Sequence, residues 1–275
     1  MKKKTSIGKI FLYIILSTYA LVTLIPFLWA LSSSFKPLSE IVSGSINFIP
    51  QNFTLDNYRQ IFIQQELFPR WMFNSIFIAT VGTGLNVIFN SMAGYALARL
   101  AFPGKKALFI IILAVLMIPA QVTMVPNYLI LREFGWLNSY QGMIVPSMIN
   151  ATFIFMMRQF FINFPKELEE AAAIDGLSRI GTFFRVVLPL AKPALAAQTI
   201  FVFMGFWNDF MRPLIIMTDS SMYTLPLGLN TFKGQFVSYW NYIMAASMVF
   251  TLPVLLIYAF FNKYFIKGLS LTGGK

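Results

Sequence analysis

The chain has 275 residues, of which 57% are hydrophobic and only 11% are charged, and its mean hydropathy is +0.69. A soluble domain of this length would cover its core with Lys, Glu, Asp and Arg, and these residues are too few for that. The apolar surface is therefore expected to face lipid. Because the chain has neither Cys nor His, we expect no metal site and no catalytic site built on thiolate or imidazole chemistry.

Six stretches are apolar and long enough to cross a bilayer, which requires about 20 residues in a helix. They are residues 10–31, 72–98, 107–131, 140–161, 194–217 and 241–266. The first follows Lys2, Lys3 and Lys4 as a signal peptide would, but its apolar run is too long for one. The sequence therefore predicts an all-α membrane protein of about six transmembrane helices, with residues 1–275 forming a single domain.

Lys and Arg divide unevenly between alternate connections of this topology. Fifteen of the 21 basic residues fall on the side of the two termini, and six fall on the other side. Basic residues accumulate on the cytoplasmic side of membrane proteins, so we expect both termini in the cytoplasm and the connection around Asn52 outside. The net charge of +11 then reflects orientation, and no nucleic-acid partner is expected.

The connection between the fourth and fifth stretches, about residues 164–193, is unusually long and charged for a loop joining two spans. Its carboxylates are Glu167, Glu169, Glu170 and Asp175. Pro165 suits the first position of a helix, whose positive end the glutamates complement. Gly176 is placed to end that helix in the left-handed conformation, and Ser178 to cap a second helix. The sequence thus predicts a helix–turn–helix on the cytoplasmic face.

This loop resembles the cytoplasmic signature of the permease subunits of binding-protein-dependent ABC importers. That signature is Glu-Ala-Ala, three residues, Gly, nine residues, Ile, one residue, Leu-Pro. The matching residues here are Glu170-Ala171-Ala172, Gly176, Val186 in place of Ile, and Leu188-Pro189. Further segments resemble the MalG-like branch of the carbohydrate-uptake permeases, so that the likeness covers essentially the whole chain. They include Ala93-Gly94-Tyr95-Ala96-Leu97-Ala98-Arg99, Phe102-Pro103-Gly104 and Trp207-Asn208-Asp209-Phe210.

The resemblance implies that the loop is a coupling helix, which docks into a separate ATPase subunit and forms a salt bridge to it through Glu170. The residues assigned to coupling are Glu170, Ala171, Ala172, Asp175, Gly176, Leu188 and Pro189. The implied partners are a second homologous six-span permease, an ATPase dimer, an extracytoplasmic sugar-binding protein and a sugar or oligosaccharide substrate. The implied location is the bacterial cytoplasmic (inner) membrane. A charged loop that is merely solvated is the alternative, but it would not need this fixed spacing.

Polar side chains within the predicted spans indicate either a solute pathway or hydrogen bonds between helices. Amides suit sugar hydroxyls, and the residues assigned as possible pathway lining are Asn74, Asn90, Gln121, Asn127, Asn150 and Asn208. For each of these a structural bond between helices is the alternative. Near the outer end of the fifth stretch we expect Asp209 and Arg212 to form an i,i+3 ion pair rather than a proton relay, because no further acids accompany them.

No Gly-x-x-x-x-Gly-Lys-Ser/Thr loop occurs in the chain. We therefore expect a non-catalytic permease subunit without a cofactor, whose energy comes from ATP bound by the partner ATPase. A secondary transporter or channel is the second class, which the docking loop and the missing acid relay disfavour. A membrane-embedded enzyme is the third, disfavoured by the absence of His, Cys and a carboxylate pair at membrane depth.

Overall fold

The structure is a computed structural model that describes residues 7–44, 47–234 and 238–272. Its α-helices in chain order are α1 (Ile7–Ser33), α2 (Leu38–Val42), α3 (Asp56–Arg59), α4 (Phe68–Arg99), α5 (Lys105–Leu116), α6 (Met124–Glu133), α7 (Tyr140–Ile144), α8 (Ala151–Ile162), α9 (Lys166–Ile174), α10 (Arg179–Thr182), α11 (Leu188–Leu190), α12 (Lys192–Trp207), α13 (Met211–Ile216), α14 (Leu225–Leu229) and α15 (Trp240–Thr272). None of the described residues forms a strand beyond one isolated bridge between Lys233 and Ser238. The predicted all-α fold is confirmed.

Three helical segments are long and apolar enough to cross a membrane, namely Gly8–Ser33, Phe68–Arg99 and Trp240–Phe261. Two further segments qualify only as bent pairs. Tyr140–Ser147 and Ala151–Ile162 meet at 41°, and Arg179–Leu190 and Lys192–Trp207 meet at 82°. The described residues thus contain three continuous spans, or up to five if each bent pair is one span. The count of six stays a prediction, and so does the position of both termini, since Lys2, Lys3, Lys4 and Lys275 lie outside the described residues.

The third and fifth predicted stretches are each divided between two helices. Helix α5 ends at Leu116 and α6 begins at Met124, with Pro119 in the turn between them. Proline lacks an N–H donor and clashes with the preceding turn, so it does not continue a helix. Helix α12 ends at the cap residue Asn208, and Pro213 lies in the first turn of α13, where its missing N–H is not needed.

The chain forms two compact units, and the first comprises Met1–Phe68 and Leu229–Pro253. Within it, Asn57 holds the segment after α1 in place. Its side-chain amide donates to the carbonyl oxygens of Ser34 at 2.9 Å and Lys36 at 2.8 Å, and its oxygen accepts from the amide of Asn241 at 2.8 Å. Because Asn57 is 3% exposed, these bonds satisfy a polar group that burial would otherwise destabilise.

The second unit comprises Pro69–Gly228 and Val254–Lys275. A buried apolar cluster joins α4, α8 and the segment that ends at α11; its members are Tyr95, Met157, Phe161, Phe183, Val187 and Ala191. Helices α4 and α8 approach closely at Gly94, where a Cβ would lie 2.7 Å from the Cβ of Met157. Only glycine fits there without a shift of the backbone. The cluster packs residues 164–193 against α4 and α8.

Candidate functional site

Helix α9 begins after Pro165, one residue later than predicted, and ends in a complete Schellman motif. Gly176 has φ of +79°, in the left-handed region that favours glycine. The N–H of Leu177 donates to the carbonyl of Ala172 at 2.9 Å, and the N–H of Gly176 donates to that of Ala173 at 3.1 Å. These two bonds are the 6→1 and 5→2 bonds of the motif. The predicted role of Gly176 as the end of the helix is confirmed.

The second helix of the loop, α10, begins at Arg179, three residues after Gly176. The hydroxyl oxygen of Ser178 accepts from the backbone N–H of Gly181 at 3.2 Å, which confirms the predicted cap. A π-helical turn, Phe183–Val187, continues α10 into α11. Phe183 and Val187 of this turn are buried in the apolar cluster, which holds the helix–turn–helix against α4 and α8.

The residues assigned to coupling divide between the surface and the interior of this loop. Those that are exposed are Glu170, Ala171, Asp175, Gly176 and Pro189. Ala172 is buried, and Leu188 is half-buried against the apolar cluster. Two large apolar residues lie beside the exposed set, Ile174, which is 86% exposed, and Ile180, which is 68% exposed. An exposed apolar surface rimmed by acids is typical of a protein interaction site.

Glu169 was predicted only to complement the start of the helix, yet it makes a buried ion pair and a hydrogen bond to α4. Its Oε1 accepts from Nε of Arg99 at 2.7 Å, and its Oε2 accepts from the hydroxyl of Tyr95 at 3.3 Å. The side chains of Glu169 and Arg99 are only 9% and 7% exposed. The signal in the sequence is the spacing of Glu169 and Ala172, which are three residues apart and therefore lie on the same face of α9. Because Ala172 is buried, this is the inward face. The pair ties α9 to the end of α4.

A second site is an open cavity of about 710 Å³ within the second unit. Three of the predicted lining residues meet there: Gln121, Asn127 and Asn150. Aromatic rings of Phe153, Phe201 and Phe206 share the wall with these amides. This combination of hydrogen-bonding groups and apolar rings is suited to a polar solute with apolar faces.

Asp209 and Arg212 also line this cavity and form the predicted i,i+3 ion pair. The backbone N–H of Arg212 donates to Oδ1 of Asp209 at 3.2 Å, and the guanidinium also donates to the hydroxyl of Ser147. The Cζ atom of Arg212 lies 5.4 Å from the centre of the Phe206 ring. The expected pairing is confirmed, and the two charges balance each other at the cavity wall.

Asn74, Asn90 and Asn208 are not among the residues that line the cavity. The amide of Asn74 donates to the carbonyls of Ser221 and Tyr223, both at 2.9 Å. Asn90 donates to the carbonyl of Met148 at 3.1 Å and accepts from the N–H of Asn150 at 2.8 Å. Both residues are completely buried and join elements of the second unit, while Asn208 is exposed at the end of α12.

Gln198 extends these polar contacts between helices. It was not assigned to the pathway, and it is completely buried on α12. Its amide lies 3.3 Å from the carbonyl of Asn86, and its oxygen accepts from Ser91 at 3.2 Å. The amide of Asn86 in turn donates to the carbonyl of Ser147 at 2.8 Å. The network satisfies the backbone at the break between α7 and α8, which an apolar membrane could not do.

Residues 90–271 match the family model of the binding-protein-dependent transport system inner membrane component. The match covers more than half of the chain and includes the whole of the loop described above. The chain belongs to this family. As an inner membrane component it is a multi-pass membrane protein and the permease part of an ABC importer, which confirms the family predicted from the sequence.

Curated relatives extend over the full length of this inner membrane component. The arabinooligosaccharides transport system permease protein AraQ of Halalkalibacterium halodurans is 36% identical over 100% of both chains. AraQ of Bacillus subtilis is 34% identical and covers 98% of this chain and 97% of its own. The trehalose/maltose transport system permease protein MalG of Thermococcus litoralis is 34% identical over 91% of each chain. All three are permease components of carbohydrate transport systems.

A solved structure supports the fold of this inner membrane component. It is the crystal structure of a bacterial ABC transporter involved in the import of the acidic polysaccharide alginate. One of its chains superposes with a TM-score of 0.85 and 24% identity, over 96% of this chain and 100% of that one. The agreement shows that the two chains share a fold.

Proposed function

We propose that this chain is one of two permease subunits of an ATP-driven carbohydrate importer, and that residues 164–193 couple its membrane helices to a separate ATPase. The division of α9 into two faces is the observation that carries the proposal. Glu169 is buried in an ion pair with Arg99 on α4, whereas Glu170 and Asp175 are exposed. The face of α9 that carries Glu169 thus contacts α4, and the face that carries Glu170 and Asp175 is free for a partner.

The free face has the chemistry of a docking surface. Glu170 presents a carboxylate, Ala171 has no bulk to hinder close approach, and Ile174 supplies an apolar contact. A cation of the ATPase paired with Glu170 would be desolvated as the two proteins meet. Loss of one member of such a pair costs on the order of 3–5 kcal/mol, because the other charge is then buried alone.

The contacts of the loop favour movement together with α4 as a rigid unit over bending within the loop. Its turn is held by the two bonds around Gly176, its second helix by the apolar cluster, and its first helix by the ion pair with Arg99. A displacement of α9 by the ATPase would therefore reach the end of α4 through short, buried contacts. This is the mechanical link that the proposal requires.

The remaining parts of the importer are proposed to be supplied by other chains. A second homologous six-span permease would complete the pathway, and an ATPase dimer would bind and hydrolyse ATP, so that this subunit is non-catalytic and holds no cofactor. An extracytoplasmic sugar-binding protein would deliver the substrate. The basic residues of the sequence support an orientation with both termini and the coupling loop in the cytoplasm.

The substrate is proposed to be a sugar or an oligosaccharide, since the relatives carry arabinooligosaccharides, trehalose and maltose. The cavity with Gln121, Asn127 and Asn150 would form this subunit's part of the pathway wall. Its amides can exchange hydrogen bonds with hydroxyls, and its phenylalanine rings can pack against the apolar faces of a pyranose. Asn74, Asn90 and Asn208 stay predictions as pathway residues.

The proposal is tested by comparing two single carboxylate deletions on α9 in the assembled importer. Glu170→Ala removes the exposed residue assigned to docking, and Glu167→Ala removes an exposed carboxylate from the first turn of the same helix. We expect Glu170→Ala to lower the affinity for the ATPase by about a hundredfold or more and to abolish uptake of labelled oligosaccharide. Glu167→Ala should leave both quantities within about twofold of the parent.

Both variants should reach the membrane in equal amounts, because neither side chain is buried. Affinity is read from detergent-purified complexes and uptake from proteoliposomes that contain all the subunits. Full ATPase binding and full uptake by Glu170→Ala would contradict the assignment of the coupling surface. Equal losses in both variants would assign the effect to overall charge.

A further inference from the structure

An open pocket of about 730 Å³ lies at the start of α5, and neither the coupling loop nor the pathway accounts for it. Its charged lining consists of Lys105, Lys106 and Arg158. Glu169, the buried carboxylate of α9, is already paired with Arg99. Among the described residues no carboxylate lines the pocket, so three positive charges converge there without a counter-charge.

Arg158 is the part of the pocket that most clearly requires a ligand. Its guanidinium carbon lies 3.7 Å from the centre of the Phe109 ring, which fixes the plane of the group. Its Nε is buried and has no hydrogen-bond partner among the described residues. A buried donor left unpaired is costly, and a cation in a membrane protein normally pairs with an anion or a carbonyl. Because Arg158 lines the pocket and is only partly buried, its guanidinium can donate to an acceptor bound there.

The N-terminus of α5 adds further donors to the same pocket. Gly104, with φ of +79°, precedes the helix and has no side chain to cap it. The N–H of Lys105 donates to the carbonyl of Phe102 at 3.4 Å, and no side chain caps this helix end, which carries the positive end of the helix dipole. Lys105 donates to the carbonyls of Ala98 and Leu100, which uses two of its three protons, while Lys106 is exposed.

We infer that this pocket binds a phosphate group, and that its source is the headgroup of an anionic phospholipid. The guanidinium of Arg158, two ammonium groups and the N–H groups of Lys106 and Ala107 provide donors for phosphate oxygens. Leu97, Phe102 and Ile110 complete the pocket with apolar surface against which an acyl chain can lie. Basic pockets beside transmembrane helices are known to hold such headgroups. This inference does not depend on the proposed coupling function.

The test uses the purified full chain in non-ionic detergent and native mass spectrometry. Phosphatidylglycerol and phosphatidylcholine with identical acyl chains are titrated separately, and glycerol 3-phosphate is added as the soluble competitor. We expect one phosphatidylglycerol to bind about tenfold more tightly than phosphatidylcholine, since the choline charge offsets the phosphate. Arg158→Gln with Lys106→Gln should remove this preference, and Lys106→Gln alone should reduce it about threefold without disturbing the fold, because Lys106 is exposed.

The matched control is Arg70→Gln with Lys233→Gln. It removes the same two residue types, and Arg70 also lies beside an aromatic ring, that of Phe73, at 5.7 Å. The control should retain the preference for phosphatidylglycerol. Displacement of the lipid by glycerol 3-phosphate would support a phosphate site that soluble esters also occupy, and no displacement would support the lipid as the source. Equal affinity for both lipids, or an unchanged preference in the Arg158 and Lys106 variant, would overturn the inference.

Discussion

At the scale of single residues, Gly176 is the position where one substitution would change the loop most directly. Its φ of +79° places it where a β-branched residue is strongly disfavoured. No atom beyond its own neighbours lies within 4 Å of a Cβ built there, so the strain comes from the backbone alone. The conformation of this one residue sets the direction from α9 to α10.

We predict that Gly176→Val weakens coupling while Gly176→Asn largely preserves it. Valine would destabilise the left-handed turn by about 1–3 kcal/mol and reorient the two helices. Asparagine adopts the left-handed conformation far more readily than valine does. Comparison of the two variants therefore separates the effect of backbone conformation from the effect of replacing glycine. The measurement is ATP hydrolysis stimulated by the binding protein in the complete importer. Parental activity in both variants would show that this turn is not required, and an equal loss in both would assign the effect to the missing glycine and not to the backbone conformation.

Glu40 is the second residue whose environment makes a specific prediction. Its carboxylate accepts from the backbone N–H groups of Gln51 and Asn52, both at 3.0 Å, and lies 4.0 Å from Nζ of Lys36. The bond from Gln51 lowers the pKa of Glu40, burial opposes this, and Asn52 and Lys36 lower the pKa further. The lowered pKa means that the ionised form is the one that holds this connection.

The sign of the pH dependence follows from this direction. Stabilisation by Glu40 is complete above its ordinary pKa of about 4.3 and is lost as the pH falls through the lower folded value. We predict that exchange of the Gln51 and Asn52 amides, corrected for intrinsic rates, accelerates as the pH falls below about 4.3. Glu40→Gln should exchange faster than the parent above about pH 4.3 and lose this dependence. Glu66→Gln, which changes an exposed glutamate nearby, should behave as the parent does.

At the scale of helices and loops, the contact between α9 and α4 depends on one buried ion pair among otherwise apolar contacts. Arg99 and Glu169 come from positions 70 residues apart, and Tyr95 adds a hydrogen bond from the preceding turn of α4. Two charges that are this well buried stabilise a fold only while both are present. Removal of one leaves the other without a partner in a medium of low polarity.

We predict that Glu169→Met lowers the apparent melting temperature of the purified chain, because stranding Arg99 costs about 3–5 kcal/mol. The double variant Arg99→Met with Glu169→Met should recover most of the loss, since two apolar side chains can fill the same space. Tyr95→Phe removes only a bond of 3.3 Å and should cost about 1 kcal/mol or less. A double variant as unstable as the single one would show that the loop depends on packing rather than on this pair.

At the scale of the whole molecule, orientation in the membrane is the property that the proposal most needs. Three predicted spans lie between Asn52 and Ile174, so these two residues should face opposite sides of the membrane. Both side chains are exposed, and the chain has no cysteine, so a single introduced cysteine reports one position without interference. In the proposed orientation Ile174 would lie on the cytoplasmic side, where the ATPase would dock.

We predict that Asn52→Cys reacts with a membrane-impermeant maleimide added to intact cells, and that Ile174→Cys reacts only after the cytoplasmic side is opened. Labelling is read by a mass shift on gels, with the parent chain as the unlabelled control. The reverse pattern would invert the topology. Reaction of both residues from the same side would mean that the number of spans between them is even.

The sequence alone was sufficient for features set within about ten residues. The all-α class, the Schellman turn at Gly176, the cap at Ser178 and the ion pair of Asp209 with Arg212 all follow from local hydropathy, propensity and spacing. Each depends on interactions within one helix or turn, and these are the same wherever that segment lies. The family resemblance rested on the same kind of short, evenly spaced pattern.

Only the tertiary structure decided which distant residues meet. Glu169 looked like one more carboxylate of an acidic helix start, and its partner Arg99 lies 70 positions earlier. Asn90 and Asn150 seemed equivalent as polar residues within spans, yet Asn90 is fully buried in hydrogen bonds whereas Asn150 lines the cavity. An amide within a span has the same sequence signature in either role. What separates the two is which helix lies opposite, and that depends on how α4, α8 and α12 pack.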